Sequence, residues 1–357
     1  MHAISRIPSS PWLRATDGDR LHRDTETRVR LAGAGANSLA LQECVRPRRR
    51  MSFATPRRLL LSFVALSAIM TCAAFADEPL FGFLYTTDLL PKGGMEVEQW
   101  MTWRHQKNSG SYDQFEHRTE FEYGVTDQLQ AALYLNYNWT QAFHNGPFAA
   151  TTPPEQFSEF QPGPDDPFNK SRFVGVSGEL IYRILSPYTD PIGLALYVEP
   201  TFGPNFRELE TRIILQKNFF DDLLTLAFNF TYAPEFRYLP DPVNGGSSWQ
   251  YETDVNFAFG ASYRFMQNWS AGFEIVNERE FNSLLFTAVN HESNSGYFLG
   301  PNLHYGGERF FVTVSALWQM PWATTHTDTV PGALVNGFIG DNDFERFRLR
   351  IKAGYVF

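Results

Sequence analysis

Charged side chains recur at every second position in several segments, and they are the residues of this chain whose spacing could support chemistry. Carboxylates alternate with other residues between about 96 and 122, and four cations alternate with apolar residues between 346 and 352. Successive side chains of a β-strand point to opposite faces, so each series lies on one face of a strand. We expect these faces to form a charge ladder in a common polar interior, with the members Glu96, Glu98, Arg104, Glu116, Arg118, Glu120, Glu122, Arg346, Arg348, Arg350 and Lys352.

The charge ladder has two interpretations. If the last strand closes against the first, Arg348, Arg350 and Lys352 face Glu96 and Glu98 across the junction. Opposite charges on neighbouring strands contribute roughly 0.2–1 kcal/mol per pair where water reaches them. In the structural interpretation, these ion pairs hold the closing strands together and keep a small interior polar. In the functional one, cationic and acidic walls create a field that orients a small polar solute.

A second group of residues could support nucleophilic catalysis. The segment 290–296 reads NHESNSG, which places His291 and Ser293 two apart and therefore on one side of a strand. It is similar to the His-x-Ser-Asn element of outer-membrane phospholipase A, a twelve-stranded barrel, and this resemblance implies a His that activates a Ser for acyl transfer. The orienting Asn of that family follows an Arg-rich stretch that is absent here, with only Asn302 at a comparable distance. We expect no enzyme and keep a lipid hydrolase as an alternative.

Other kinds of site have little support in the sequence. The His residues downstream of residue 76 are scattered, and no Gly-rich phosphate loop is present, so we expect neither a metal nor a cofactor. Both cysteines, Cys44 and Cys72, lie upstream. Residues 77–357 hold 34 of the 39 acidic residues but only 18 of the 30 basic ones. This acidic balance argues against nucleic acid as a partner.

The elements that must position these residues are strands. Segments with period-two alternation recur along the chain, separated by connections that are short and long in turn, which is typical of membrane barrels. Apart from a segment near residue 60 there is no apolar run long enough for a transmembrane helix, so a closed barrel is the remaining way to span a membrane. We predict an all-β, transmembrane, antiparallel up-and-down β-barrel of about twelve strands, with both termini periplasmic. The strands are expected near 94–107, 114–125, 129–140, 172–185, 192–203, 207–217, 223–237, 249–265, 269–279, 295–306, 309–320 and 344–357.

The last strand ends on an aromatic residue. Its apolar face carries Phe347, Leu349, Ile351, Tyr355 and Phe357. A chain that ends in this way resembles the terminal assembly signal of bacterial outer-membrane barrels, with Tyr355 and Phe357 as its aromatic residues. The resemblance implies three kinds of partner: the barrel-assembly machinery and periplasmic chaperones during biogenesis, and outer-membrane lipid afterwards.

The amino-terminal part has the features of an export signal. Residues 51–76 contain Arg57 and Arg58, an apolar run, and the small residues Ala74 and Ala76 that a signal peptidase requires. We predict cleavage after Ala76 and location in the bacterial outer membrane. Residues 1–50 are interpreted as an over-extended start or a disordered leader, residues 77–93 as a periplasmic lead-in, and residues 94–357 as the barrel.

Four segments carry a wider resemblance. They are FGFLYTTDLLPKG (81–93), RTEFEYGVTD (118–127), RILSPYTDP (183–191) and FRELETR (206–212). They resemble an uncharacterised family of proteobacterial outer-membrane β-barrel proteins that has no assigned function. The resemblance implies location and fold and says nothing about a substrate.

Together these features predict a narrow channel or a structural barrel for small polar or ionic solutes. Two alternatives remain open. One is the lipid hydrolase centred on His291 and Ser293. The other is a surface-binding barrel that contacts a partner through the long loops 141–171 and 321–343.

Overall fold

Period-two alternation of apolar and polar side chains runs through nearly every element of the protein. The computed structural model describes residues 79–357 except 108, 147–148, 155–156, 158–159, 161, 241–245, 285–291, 324–333 and 336–337. The strands are β1 (Met95–His105), β2 (Ser111–Thr126), β3 (Leu129–Phe143), β4 (Phe168–Leu185), β5 (Gly193–Phe202), β6 (Phe206–Phe219), β7 (Leu224–Pro240), β8 (Ser247–Met266), β9 (Trp269–Phe281), β10 (Glu292–Gly306), β11 (Phe310–Met320), β12 (Leu334–Val335), β13 (Phe338–Ile339) and β14 (Phe347–Val356).

Twelve of these strands close into a single antiparallel barrel. Each pairs with its neighbours in the sequence, and β14 lies between β11 and β1. The closing pair runs from Glu96 opposite Val356 to His105 opposite Phe347. The prediction of a closed, antiparallel, twelve-stranded up-and-down barrel is confirmed. The two-residue strands β12 and β13 pair only with each other and were not predicted.

Successive connections lie alternately at the two ends of the barrel. Short turns lie at 127–128, 186–192, 220–223, 267–268 and 307–309. They lie at the end of the barrel where β1 begins and β14 ends. These two strand ends are joined there, because the Phe357 amide donates to the Met95 carbonyl. We call this the terminal end. The two longest connections, 144–167 and 321–346, lie at the opposite end. Among the described residues, no helix is long and apolar enough to cross a bilayer.

Charged side chains point into the barrel and large apolar ones point outward, which is the opposite of a water-soluble barrel. On β2, Glu120 is 0% exposed, whereas its neighbour Phe121 is 47% exposed. On β14, Arg348 and Lys352 are buried while Tyr355 and Phe357 are exposed. The exterior therefore carries large apolar and aromatic side chains and the interior carries charged ones, a distribution that suits lipid outside and polar groups inside.

The interior also contains a segment that we expected to lie outside it. Residues 79–94, which we call the strap, enter the barrel near its terminal end and cross its width. Phe81 and Leu84 of the strap are buried against Ala258, Val276 and Leu317 of the wall. Residues 79–93 of the segment interpreted as a periplasmic lead-in therefore lie inside the barrel. The reason is that the lumen supplies partners for both the apolar side chains and the main chain of the strap.

Candidate functional site in the barrel interior

The first half of the strap is held by the wall formed by β9 and β11. The amide of Gly82 donates to Glu274 Oε1 at 2.8 Å and to Ser315 Oγ at 3.0 Å. The amide of Phe83 donates to the second oxygen, Glu274 Oε2, at 2.7 Å. One carboxylate thus accepts from two consecutive amides. Gly82 is required here, because a Cβ would lie 2.5 Å from Ser315 Oγ.

The second half of the strap is held by amide side chains on three other strands. Asn229 of β7 accepts from the Tyr85 amide at 2.7 Å and donates to the Tyr85 carbonyl at 2.9 Å. Gln216 of β6 accepts from the Thr87 amide, and Gln130 of β3 accepts from the Leu90 amide, both at 2.7 Å. Main-chain groups that leave water need such partners. The wall side chains supply them at regular intervals, and the strap is thereby anchored across the lumen.

Apolar contacts strengthen this anchoring. The Phe81 ring lies directly over Gly260 of β8, where a Cβ would come within 2.6 Å of Phe81 Cε1. Leu89 packs with Ile181, Tyr197 and Ile214 of the opposite wall. The strap therefore contacts several sides of the barrel and crosses the lumen near the terminal end.

The cations of β14 lie in the interior, but their register differs from the expected one. Lys352 is directly opposite Trp100 and Arg350 is opposite Thr102, whereas Glu98 is opposite Gly354. The expectation that Arg348, Arg350 and Lys352 face Glu96 and Glu98 is therefore wrong by about two positions. Alternation determines which face a side chain occupies, but the pairing register depends on where β1 and β14 meet, which alternation does not reveal.

Aromatic rings and the strap take the place of the expected carboxylates. The Lys352 ammonium lies 3.6 Å from the centre of the Trp100 ring. The Arg350 guanidinium lies 4.1 Å from the Phe83 ring, donates to Thr102 Oγ1 at 2.8 Å, and donates to the Gly82 carbonyl at 3.1 Å. Such cation–π contacts stabilise a charge that has lost its water. Arg350 thus links the closing strand to the strap.

Among the described residues, ion pairs cross the lumen at two places. Arg118 of β2 pairs with Glu199 of β5 at 2.6 Å. Arg348 of β14 forms a two-pronged pair with Glu278 of β9, with Nη2 and Oε2 at 2.8 Å. Both pairs join strands that are not neighbours, so these side chains point into the lumen. Arg346, nearer the opposite end, donates to the side chains of Gln319 and Asn342.

One carboxylate that the sequence did not single out joins two of the predicted cations. Glu345, just before β14, is within 3.1 Å of Arg104 and also contacts Arg348. Arg104 further pairs with Glu116 at 2.8 Å. Burial would raise the pKa of Glu345, but Arg104 and Arg348 outweigh this effect and lower its pKa from 4.5 to about 2. The only signal in the sequence was its position next to the cationic series.

Two groups of carboxylates could hold a cation. Glu98, Glu120 and Glu122 lie together near the terminal end, and Glu252, Asp254 and Glu280 lie together near the opposite end. Carboxylate oxygens are the ligands that hard divalent cations prefer. The scattered histidines give no indication of these groups, because strand pairing brings the carboxylates together.

The residues of the hydrolase alternative are only partly described. His291 lies outside the described residues. Ser293 is buried, and its hydroxyl donates to the Glu280 carbonyl at 3.1 Å. The described contacts therefore engage the Ser293 proton with the main chain rather than with a base.

The two aromatic residues of the expected assembly signal lie outside the barrel. Phe357 is 66% exposed, and its ring meets that of Tyr355 edge to face with centroids 5.3 Å apart. Both side chains belong to the apolar exterior.

Comparison with known proteins gives a family but no activity. No curated protein matches the chain. The COG4313 outer membrane channel from Pseudomonas putida F1 aligns with 76% of this chain and 98% of its own, at 10% identity and a TM-score of 0.49. The NanC porin aligns with 72% and 98% at 11% identity and a TM-score of 0.42, and LpxR from Salmonella typhimurium with 73% and 99% at 7% identity and a TM-score of 0.39. A family model matches residues 73–357, and the chain therefore belongs to the family of unknown function DUF6662.

Proposed function

We propose that the protein is a bacterial outer-membrane barrel that acts as a narrow channel for small polar or ionic solutes, and that the strap closes this channel in the state described above. The apolar, aromatic exterior supports the membrane location, because water would not solvate it well. The exposed Tyr355 and Phe357 support assembly by the barrel-insertion machinery after export and cleavage at Ala76. In this arrangement the terminal end is periplasmic.

The observation that carries the proposal is the way the strap is bound. Its main chain is held by polar side chains of five wall strands, at Gln130, Gln216, Asn229, Glu274 and Ser315. If the strap were absent, these groups would line a polar lumen that is continuous with the charged interior. A barrel that needed only a packed interior could fill it with apolar side chains instead. The wall therefore has the chemistry of a solute path, with the strap as its closure.

Planar-bilayer recording of the refolded protein tests the proposal. The chain from residue 77 should show little or no conductance, and a variant without residues 77–92 should show stable single-channel steps. The variant Asn229→Leu, which loses both hydrogen bonds to Tyr85, should show intermittent openings with the strap still present.

A matched control is Asn136→Leu, because the hydrogen bond that Asn136 donates goes to Ser177 Oγ within the wall rather than to the strap. This control should stay closed. A deletion variant that folds, as shown by heat-modifiable gel mobility, but conducts no better than the intact chain would contradict the proposal and favour a purely structural barrel.

A further inference from the structure

Three carboxylates, Glu98, Glu120 and Glu122, lie on the inner face of β1 and β2 beside the strap. We call them the carboxylate patch. In the β1–β2 pairing, Glu98 is directly opposite Glu120, and Glu96 is directly opposite Glu122. Like charges at directly opposed positions of a sheet repel each other. The sequence therefore places negative charges where the fold brings them closest, and something must compensate for them.

The distances within the patch suit a shared ion. One oxygen of each of the three carboxylates lies within 4.8 Å of an oxygen of the other two. Ca²⁺ binds its oxygen ligands at about 2.3–2.6 Å, so two ligands on opposite sides of the ion are about 5 Å apart. The three carboxylates can therefore contact one ion together without rearrangement of the backbone.

Glu120 forms no ion pair with any described residue, and the cation that acts on it, from a greater distance, is Lys352. It is 0% exposed, and among the described residues neither of its oxygens has a hydrogen-bond partner. Within the same part of the chain, Glu98 and Glu120 form no ion pair. The neighbouring cation, Lys352, lies over the Trp100 ring instead. Burying a carboxylate without a partner is strongly unfavourable. A bound cation would remove this penalty.

The patch also adjoins a cavity. Glu98 and Glu122 line it on the wall side together with Trp100 and Lys352, and Tyr85 and Asp88 line it from the strap. Two oxygens of the patch are already oriented by the wall, because Trp100 Nε1 donates to Glu98 and Gln130 Nε2 donates to Glu122 at 2.9 Å. The cavity leaves room for water molecules, which Ca²⁺ commonly keeps among its six to eight ligands.

From these observations we infer that the carboxylate patch is a binding site for a divalent cation of the Ca²⁺ class, located where the barrel wall meets the strap. All available ligands are oxygens, which disfavours softer transition metals. The inference does not depend on whether the barrel conducts.

The second acidic group is less suited to an ion. Arg237 donates to Glu252 at 3.2 Å, and Asn294 donates to Glu280 at 2.7 Å. Two of its three carboxylates, Glu252 and Glu280, therefore already have partners within the protein. Glu280 therefore provides a matched control, as a lumenal carboxylate in a cluster of the same size.

Terbium(III) luminescence provides the test, with Tb³⁺ as a probe for Ca²⁺ and Trp100 as the sensitiser. The refolded full-length protein in detergent should show Tb³⁺ emission on excitation of tryptophan, and added Ca²⁺ should displace it. Glu120→Gln should weaken Tb³⁺ binding at least tenfold, as expected for loss of a metal-site residue. Glu280→Gln should bind as the wild type does. Trp100→Phe should lower the emission.

A second measurement does not depend on emission. Millimolar Ca²⁺ should raise the thermal unfolding temperature of the wild type and of Glu280→Gln, because a ligand that binds only the folded state stabilises it. It should leave Glu120→Gln unchanged. If Glu120→Gln does not fold, as judged by heat-modifiable mobility, then Glu98→Gln replaces it with the same expected outcome. Three results would each overturn the inference. Ca²⁺ could stabilise Glu120→Gln as much as the wild type, it could fail to stabilise the wild type, or Glu280→Gln could lose binding.

Discussion

The positions of Arg350 and Lys352 show how a buried charge can be stabilised without a direct ion pair. Arg350 is held by Thr102, by the Gly82 carbonyl and by the Phe83 ring, and Lys352 lies on the Trp100 ring. Both cations also offset the acidic residues around them. They therefore support the closing strand and the strap at the same time.

Replacing both cations removes these contacts together with two positive charges. We expect Arg350→Gln with Lys352→Gln to lower the free energy of unfolding by about 1–4 kcal/mol. Urea unfolding followed by gel mobility measures the change. Arg309→Gln is the control, because Arg309 lies in an exposed turn. A double variant as stable as this control would show that the two cations do not stabilise the barrel.

Glu345 makes stability depend on pH. Its pKa is lowered from 4.5 to about 2 in the folded protein, so its contribution is fully present above about pH 4.5 and is lost as pH falls through about 2. The shift corresponds to roughly 3 kcal/mol at most. Glu345→Gln should therefore be less stable than the wild type at pH 7, and the difference should shrink between pH 4.5 and 2. Unfolding by urea at several pH values measures this, and a difference independent of pH would rule it out.

At the scale of elements, the two faces of β14 differ in their side chains and in what they contact. Its outer face presents Tyr355 and Phe357 to the surroundings, and the Phe357 amide closes the barrel by donating to Met95 at 3.0 Å. Its inner face carries the cations. The strand therefore contributes to closure and to interior charge at once, and we propose that its outer face also serves in assembly.

Deleting Phe357 should impair insertion into the outer membrane without affecting export across the inner membrane. The expected result is a lower amount of heat-modifiable protein in the membrane fraction, with the cleaved chain present in the periplasm. Phe220→Ala serves as a control, because Phe220 is also an exposed aromatic at the terminal end but lies in a turn. If the variant that lacks Phe357 inserted normally, this residue would have no role in assembly.

The sequence was informative for strands and uninformative for the strap. Alternation located all twelve barrel strands, since period two directly reflects which face each side chain occupies. The strap has no such pattern, because Phe81 and Leu84 pack against one part of the wall and Leu89 packs against another. The carboxylate patch was also missed as a unit. Its members were identified singly, but the direct opposition of Glu98 and Glu120 follows from a register that only the structure supplies.

At the scale of the whole molecule, the interior is acidic. Carboxylates such as Glu179, Glu199, Glu274 and Glu278 line it along with the charge ladder, and the pairs Arg118–Glu199 and Arg348–Glu278 neutralise only some of them. A lumen with excess negative charge attracts cations and repels anions.

The chain without residues 77–92 should therefore prefer cations over anions. Reversal potentials in a potassium chloride gradient measure this preference, and it should increase when Arg350 and Lys352 are replaced by Gln. If the variant without residues 77–92 preferred anions, the acidic wall would not be the solute path.

The binding mode of the strap also has a consequence for the order of folding. Gly82 is held by Glu274 and Ser315, which follow it by 192 and 233 residues. The strap is synthesised first, yet its binding site exists only after β9 and β11 have joined the sheet. Contacts between such distant parts of a chain form slowly. Strap docking should therefore be a late kinetic phase in refolding, after strand pairing, and the barrel should pass through an intermediate whose lumen is still accessible.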